Sequence, residues 1–152
     1  MSKRRMDYSL YLVTDRGLSR GRSTLEIVRA AVRGGVTCVQ LREKTGAIRA
    51  FIDEALSVKA FLDSCGVPLI INDRVDVALA VGADGVHLGQ SDLPLAAARS
   101  IAGPAMLIGI SVESTRDAVE AQAAGADYLG VSPVFATPTK ADTAAPLGLA
   151  GL

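Results

Sequence analysis

The sequence predicts an α/β protein in which short parallel strands alternate with helices. Three observations support this fold class. Short apolar runs rich in β-branched residues alternate with alanine-rich amphipathic segments along the 152 residues. The segments between these runs are long enough to hold a helix, as a parallel crossover requires. Three times a helical segment ends on glycine just before a strand, in "GGVTCVQLR", "GADGVHLG" and "AGADYLGVS".

This loose repeat favours a TIM-type (β/α)₈ barrel over a doubly wound sheet. A doubly wound nucleotide-binding sheet usually carries G-x-G-x-x-G after its first strand, and "TDRGLSRGRS" follows here instead. Complete barrels typically need about 250 residues, whereas this sequence provides about six β/α units. We therefore predict one domain, residues 1–152, that forms an incomplete barrel without the last two units.

The strands and helices follow from local patterns. Ser23 or Thr24 provides the N-cap of the first helix, and Gly34 with Gly35 stops it. Apolar residues recur about every 3.6 positions in the second helix, at Ile48, Phe51, Ile52, Ala55, Val58, Phe61 and Leu62. The predicted strands cover residues 9–15, 36–42, 68–73, 85–89, 106–111 and 128–133. The predicted helices cover residues 24–35, 47–66, 74–83, 93–103 and 114–126, and a sixth begins within 146–152.

The composition narrows the range of partners. Sixteen basic residues balance sixteen acidic ones, which argues against a general nucleic-acid or membrane-surface binder. Aromatic residues make up only 4%, so stacking on single-stranded nucleic acid is not expected either. No apolar stretch is long enough to span a bilayer. Cys38 and Cys65 fit no metal or redox spacing and indicate a reduced, cytoplasmic protein.

Polar residues collect where the predicted strands end, which is where barrels carry their chemistry. Two of the strand-end motifs, "LIIND" and "GVHLGQSD", close on Asp73 and Asp92. Two carboxylates about 4 Å apart repel by roughly 4 kcal/mol at an effective dielectric of about 20. A divalent cation between them would turn this repulsion into a net attraction. A site with few ligands, all of them oxygen atoms, suits Mg²⁺. Alternatively, Asp73 and Asp92 cap the helices that follow.

Basic residues stand at two of the same strand ends. "QLREK" places Arg42 and Lys44 on one side of an extended strand, and Lys140 lies in the sixth loop with Thr137 and Thr139. Cations and hydroxyl groups beside a metal suit a diphosphate. Alternatively, "QLREK" is a solvated charge run in which Arg42 pairs with an acid.

His87 is the only histidine, and its place within a strand favours a structural role in the interior. Without a second histidine or a neighbouring cysteine, hydrolysis by a Ser-His-Asp arrangement is not expected.

The motifs "YLVTDR", "VQLREK", "LIINDRVDVALAVGADGVHLGQSDLP", "IGIS" and "YLGVSPVFATPTK" resemble those of the thiamine-phosphate synthase family. The resemblance extends from about Tyr11 to Leu152. It implies a (β/α)₈ transferase that joins 4-amino-2-methyl-5-hydroxymethylpyrimidine diphosphate to a thiazole phosphate and releases diphosphate.

The resemblance also implies roles for individual residues. Asp73 and Asp92 would bind Mg²⁺, and Arg42, Lys44 and Lys140 would be catalytic. Ser111 would lie near the pyrimidine, and Thr137 and Thr139 would contact the thiazole phosphate. The complete set of implied substrate-binding residues is Gln40, Leu41, Arg42, Glu43, Lys44, Asn72, Ser111, Thr137, Pro138, Thr139 and Lys140.

Two alternatives remain. A related barrel, the thiazole tautomerase, shares the fold but would lack parts of the diphosphate and metal set. The other alternative is an inactive fragment or assembly subunit. In the family pattern, two further strands complete the thiazole-phosphate pocket beyond Leu152. We therefore expect this chain to be at best weakly active and prone to associate, for example as a homo-oligomer.

Overall fold

The computed structural model describes residues 6–136 and 145–152. Within these ranges six strands form one sheet in the order β1 to β6, and each strand pairs in parallel with its neighbour. The strands are β1 Tyr11–Val13, β2 Cys38–Leu41, β3 Leu69–Asn72, β4 Gly85–Leu88, β5 Leu107–Val112 and β6 Tyr128–Val131. The intervening helices are α1 Thr24–Arg33, α2 Ile48–Cys65, α3 Val75–Val81, α4 Leu95–Ala102 and α5 Thr115–Ala123, and α6 Gly148–Gly151 follows β6.

The sheet curls into part of a barrel. Although four strands lie between β1 and β6, the hydroxyl oxygens of Tyr11 and Tyr128 are only 2.9 Å apart. A flat six-stranded sheet would place its edge strands more than 20 Å apart, because neighbouring strands are about 4.8 Å apart. The predicted fold class, an incomplete (β/α) barrel with six units, is therefore confirmed.

The predicted element types are correct, but several predicted boundaries are too generous. Strand β2 ends at Leu41, so Arg42 and Lys44 lie in the following loop rather than along an extended strand. At the start of α1, Ser23 forms a capping box with Glu26, as the sequence predicted for one of two candidate caps.

The hydrophobic core lies between the sheet and its helices. Alternate strand residues such as Leu41, Ile71 and Val86 point outward and pack with α2 residues such as Val58 and Leu62. The other strand residues face the inside of the curved sheet. This inner face is partly polar, since it carries Gln40, Asn72, His87 and Ser111 among other side chains.

Gly109 in β5 makes room for an aromatic ring on the inner face. The register places Gly109 opposite Tyr128 of β6. A Cβ atom built on Gly109 would lie 2.1 Å from Cζ of Tyr128, far inside van der Waals contact. The glycine therefore lets the ring cross the neighbouring strand.

The repeated "GAD" tripeptide has a structural explanation at the amino-terminal ends of the strands. Asp84 and Asp127 each accept a hydrogen bond of 2.9 Å from the backbone of the preceding strand, at Leu69 N and Ile108 N respectively. Arg99 pairs with Asp127 at 2.6 Å. These contacts hold the end of the sheet opposite to the strand-end cavity described below, so they stabilise the fold.

Among the described helices, none has the length and apolar character needed to cross a membrane.

Candidate active site

A cavity of about 300 Å³ opens at the carboxyl ends of β2, β3, β4 and β5. It is called the strand-end cavity below. Residues from four successive loops or strand ends meet there although they lie far apart in the sequence. Its lining consists of Arg42, Lys44, Asn72, Asp73, Gly89, Gln90, Ser91, Asp92, Ser111 and Glu113.

Asp73 and Asp92 lie side by side in the strand-end cavity, close enough for each carboxyl group to feel the other. Burial raises the pKa of Asp73, and the neighbouring Asp92 raises it further, while Lys44 acts in the opposite direction. Two neighbouring carboxylates repel each other, and a cation placed between them relieves that repulsion. The pair is therefore a favourable place for a divalent cation.

The capping role considered for these two aspartates is wrong. The N-caps of α3 and α4 are Arg74 and Pro94, and neither helix has a side-chain cap hydrogen bond. Asp92 instead accepts a 2.7 Å hydrogen bond from the backbone of Gly89 within its own loop. Asp73 adopts a left-handed backbone with φ 61°, which aspartate tolerates better than most residues.

Asn72, the last residue of β3, lies beside the acidic pair with an unsatisfied amide. The residue is 7% exposed, and its Nδ2 group has no hydrogen-bond partner among the described residues. A buried donor without a partner costs about 1–3 kcal/mol. Because Asn72 lines the strand-end cavity, a ligand oxygen there would satisfy this donor.

Two cationic side chains, Arg42 and Lys44, line the same cavity as the two aspartates. Lys44 Nζ lies 2.5 Å from Asp73 Oδ2. Arg42 lines the cavity and pairs with Asp15 at 2.8 Å, so the alternative in which Arg42 pairs with an acid holds as well. Both cations are partly exposed, so a ligand can reach them.

Two residues of the predicted binding set point away from the strand-end cavity. Leu41 is 1% exposed and packs in the hydrophobic core. The Glu43 carboxylate accepts hydrogen bonds from the backbone of Thr45 and Gly46, which lower its pKa, and it pairs with Arg16 at 2.9 Å. These side chains serve the core and the loop, so Leu41 and Glu43 would reach a ligand only through their backbone.

Four predicted residues, Thr137, Pro138, Thr139 and Lys140, lie outside the described residues. Their roles stay predictions.

A chain of buried and partly buried polar groups behind the cavity was not predicted from the sequence. His87 is buried, as expected for a structural histidine, and lies within 3.0 Å of Tyr128 Oη and 2.9 Å of Ser111 Oγ. Tyr128 in turn contacts Tyr11, whose hydroxyl accepts a hydrogen bond from Gln40. The signal that could have found this chain is the strand alternation, which puts all five side chains on the inner face.

The donor set fits a Mg²⁺ ion better than a transition metal. Among the described residues, no group of three or more histidine, cysteine, aspartate or glutamate side chains is arranged to hold a metal. Mg²⁺ needs only one or two protein carboxylates, because waters and substrate phosphates complete its shell. The Asp73–Asp92 pair matches that requirement.

The fold and site together define a (β/α)-barrel enzyme domain with a strand-end site suited to a phosphorylated substrate. The family model described as thiamine monophosphate synthase matches residues 10–152. The chain belongs to this family, as the motif resemblance predicted. Its function class is accordingly that of a transferase in thiamine biosynthesis.

Individual relatives agree with this assignment. A thiamine-phosphate synthase of Syntrophomonas wolfei is 59% identical over 143 residues, which cover 94% of this chain and 68% of the relative. One of Chloroflexus aurantiacus is 56% identical over 147 residues, which cover 97% and 68%. The solved thiamine phosphate pyrophosphorylase of Pyrococcus furiosus superposes with a TM-score of 0.83 at 41% identity, covering 93% of this chain and 66% of that one. The chain thus spans about two thirds of the length of these relatives.

Proposed function

We propose that this chain binds a pyrimidine methyl diphosphate in the strand-end cavity and transfers its pyrimidinylmethyl group to a thiazole phosphate, giving thiamine phosphate and diphosphate. The observation that best supports the proposal is the combination of an acidic pair, two cations and an unsatisfied amide around one cavity. Each of these features is explained by a diphosphate bound with a divalent cation.

Binding of the diphosphate follows from charge. Arg42 and Lys44 offer donors to phosphate oxygens, and Asn72 Nδ2 donates to an oxygen that water would otherwise solvate. Asp73 and Asp92 would hold Mg²⁺, which when bound neutralises charge that develops on the leaving diphosphate. Lys140 would add a third cation from the sixth loop.

The transfer needs positioning and charge more than proton movement. The bond between the methylene carbon and the diphosphate oxygen breaks, and its electron pair leaves with the diphosphate. The lone pair of the thiazole nitrogen forms the new carbon–nitrogen bond, so no base has to remove a proton from it. Arg42 and Lys44 stabilise the negative charge that accumulates on the departing oxygen. This chemistry accounts for a site that is rich in cations and amides.

The thiazole tautomerase alternative is less well supported. Such a barrel was expected to lack parts of the diphosphate and metal set. Here Asn72, Asp73, Asp92 and Lys44 all line the strand-end cavity. The two relatives described above are both named synthases.

We further propose that residues 1–152 act as one domain in the cytoplasm. The two cysteines, Cys38 and Cys65, fit a reducing compartment, since the structure joins neither in a disulfide. Self-association as a homo-oligomer stays a prediction.

The proposal is tested by incubating the purified chain with both substrates and Mg²⁺ and measuring released diphosphate together with thiamine phosphate. We expect release that depends on both substrates and on Mg²⁺. Equal release without the thiazole phosphate would mean hydrolysis and contradict the proposed transfer. Substrate binding without any release would favour the inactive-subunit alternative.

A further inference from the structure

A tight turn after β4, residues 89–92, carries one half of the acidic pair. The Gly89 N–H donates to Asp92 Oδ2 at 2.7 Å, and the Asp92 N–H donates to the Gly89 carbonyl oxygen at 3.2 Å. These two hydrogen bonds fix the shape of the turn and the direction of the Asp92 carboxylate within it. They do not fix the orientation of the turn against the sheet, because both partners belong to the turn itself.

One side chain of the 89–92 turn reaches the neighbouring strand. Gln90 Nε2 donates to the backbone oxygen of Ser111 in β5 at 2.6 Å, across 21 sequence positions. The backbone pairing of β4 with β5 ends one residue earlier, at Leu88 and Ile110. The Gln90 amide therefore continues the contact between the two strands beyond their last paired residues. This hydrogen bond ties the turn to β5 at the level of the strand-end cavity, which Gln90 and Ser111 both line.

The orientation of the Gln90 amide is settled by its partner. A backbone carbonyl oxygen can only accept a hydrogen bond, so the amide has to present an N–H group to Ser111. Reversing the amide would put an oxygen in place of that nitrogen, and two acceptor atoms at hydrogen-bonding distance repel each other. The direction of this hydrogen bond therefore depends on no other side chain and on no protonation state.

The two aspartates of the pair are attached to the sheet in different ways. Asp73 directly follows β3, and its backbone N–H donates to the carbonyl oxygen of His87 in β4 at 2.8 Å. The backbone N–H and the carboxylate of Asp92 both form hydrogen bonds within the 89–92 turn instead. Apart from the covalent link to β4, the bond from Gln90 to Ser111 is what connects that turn to the strands.

We propose that Gln90 is a positioning residue of the cation site, whose hydrogen bond to β5 holds the 89–92 turn so that the Asp92 carboxylate stays beside Asp73. Gln90 then raises the affinity for a divalent cation without being one of its ligands. Groups that orient a metal ligand typically contribute about 10–100-fold to metal affinity. The role of the cation rests on the proposed function, whereas the anchoring of the turn does not.

The anchoring is tested in the chain without metal or substrate. Gln90→Met keeps the length of the side chain and removes the donor, and since Gln90 is exposed we expect the variant to fold. The Gly89 N–H reports on the turn, because it donates to Asp92 Oδ2. Its hydrogen exchange, followed by NMR, should become about 2–10-fold faster, the change that loss of one ordinary hydrogen bond predicts. Unchanged exchange would overturn the proposal, whether or not the chain is an active transferase.

The effect on the cation site is tested by calorimetric titration of inorganic diphosphate in the presence of Mg²⁺. We expect Gln90→Met to weaken this binding by about 10–100-fold. Gln122→Met is the control, because Gln122 is an exposed glutamine of α5 that does not line the strand-end cavity, and it should change the affinity by less than about twofold.

The outcomes separate the positioning role from the proposed function. Equal binding by the parent and Gln90→Met would contradict the positioning role and leave the proposed function intact. Weaker binding together with unchanged Gly89 exchange would make Gln90 a direct ligand contact, which also contradicts positioning. A parent chain that binds no diphosphate with Mg²⁺ would contradict the proposed cation site and the positioning role together.

Discussion

Replacing Asp92 with asparagine is expected to lower the turnover of diphosphate release by about 10²-fold or more, the loss typical for one preorganised charge-stabilising group. Asp92 lines the strand-end cavity beside Asp73 and raises the pKa of the Asp73 carboxyl group. The substitution keeps the size of the side chain and an oxygen that can accept from Gly89. It removes a negative charge that a Mg²⁺ ion needs. The comparison is made with initial rates at saturating substrates and Mg²⁺.

Asp63→Asn provides the matched control, because Asp63 is an exposed carboxylate on α2 that pairs with Lys59. Its removal should change turnover by less than twofold, since exposed ion pairs contribute little. If Asp92→Asn retained turnover within threefold of the parent, the assignment of Asp92 to the metal site would be wrong.

Replacing Gly109 with alanine is expected to lower the free energy of unfolding by about 1–3 kcal/mol, as is typical for overpacking. The added Cβ would lie 2.1 Å from Tyr128 Cζ and 2.4 Å from Cε1, so the ring has to move. Movement of the ring also strains its hydrogen bonds to Tyr11 and His87. Urea titration followed by circular dichroism measures the change.

Gly17→Ala is the control for this change. Both variants replace a glycine with an alanine, so both reduce the conformational entropy of the unfolded chain by a similar amount. In the folded chain a Cβ atom added to Gly17 would meet only the tip of the Asp15 side chain, at 3.2 Å. We expect a change within about 0.5 kcal/mol, as for ordinary surface positions. Equal unfolding free energies for the parent and Gly109→Ala would show that the close approach of β5 and the Tyr128 ring is not maintained in solution.

The fold could be predicted because its signals are local and repeated. Each unit carries an apolar run, an amphipathic segment and a glycine stop, and "GAD" precedes both β4 and β6. The strand boundaries were harder to predict. The strand-like sequence pattern of β2 continues to Arg42, although its hydrogen bonds to the neighbouring strands end at Leu41. Ladder bonds depend on the neighbouring strand, so the sequence of one strand does not define where pairing stops.

The sequence predicted correctly which site residues lie close together when those residues directly follow a strand. In a parallel sheet the carboxyl ends lie on one edge, so Asp73 and Asp92 were expected to be close, and they share a cavity. The sequence could not decide between capping and metal binding, because both use an aspartate after a strand. The loop geometry rules out capping by Asp92. The Asp92 carboxylate accepts a hydrogen bond from the backbone of Gly89, and α4 has no side-chain cap.

The polar chain behind the site could not be predicted in detail. Strand alternation gives the face on which Tyr11 and Tyr128 lie, but these residues are 117 positions apart. Whether their hydroxyls meet depends on how tightly the sheet curls and on the space that Gly109 leaves. Both are properties of the assembled sheet.

The most direct test of the proposed site is calorimetric titration of inorganic diphosphate into the chain, with and without Mg²⁺. If Asp73 and Asp92 hold a cation beside Arg42 and Lys44, diphosphate should bind measurably only when Mg²⁺ is present, and Asp92→Asn should lose that binding. Diphosphate binding of equal affinity in the presence of a chelator, or undiminished in Asp92→Asn, would contradict the metal-assisted site.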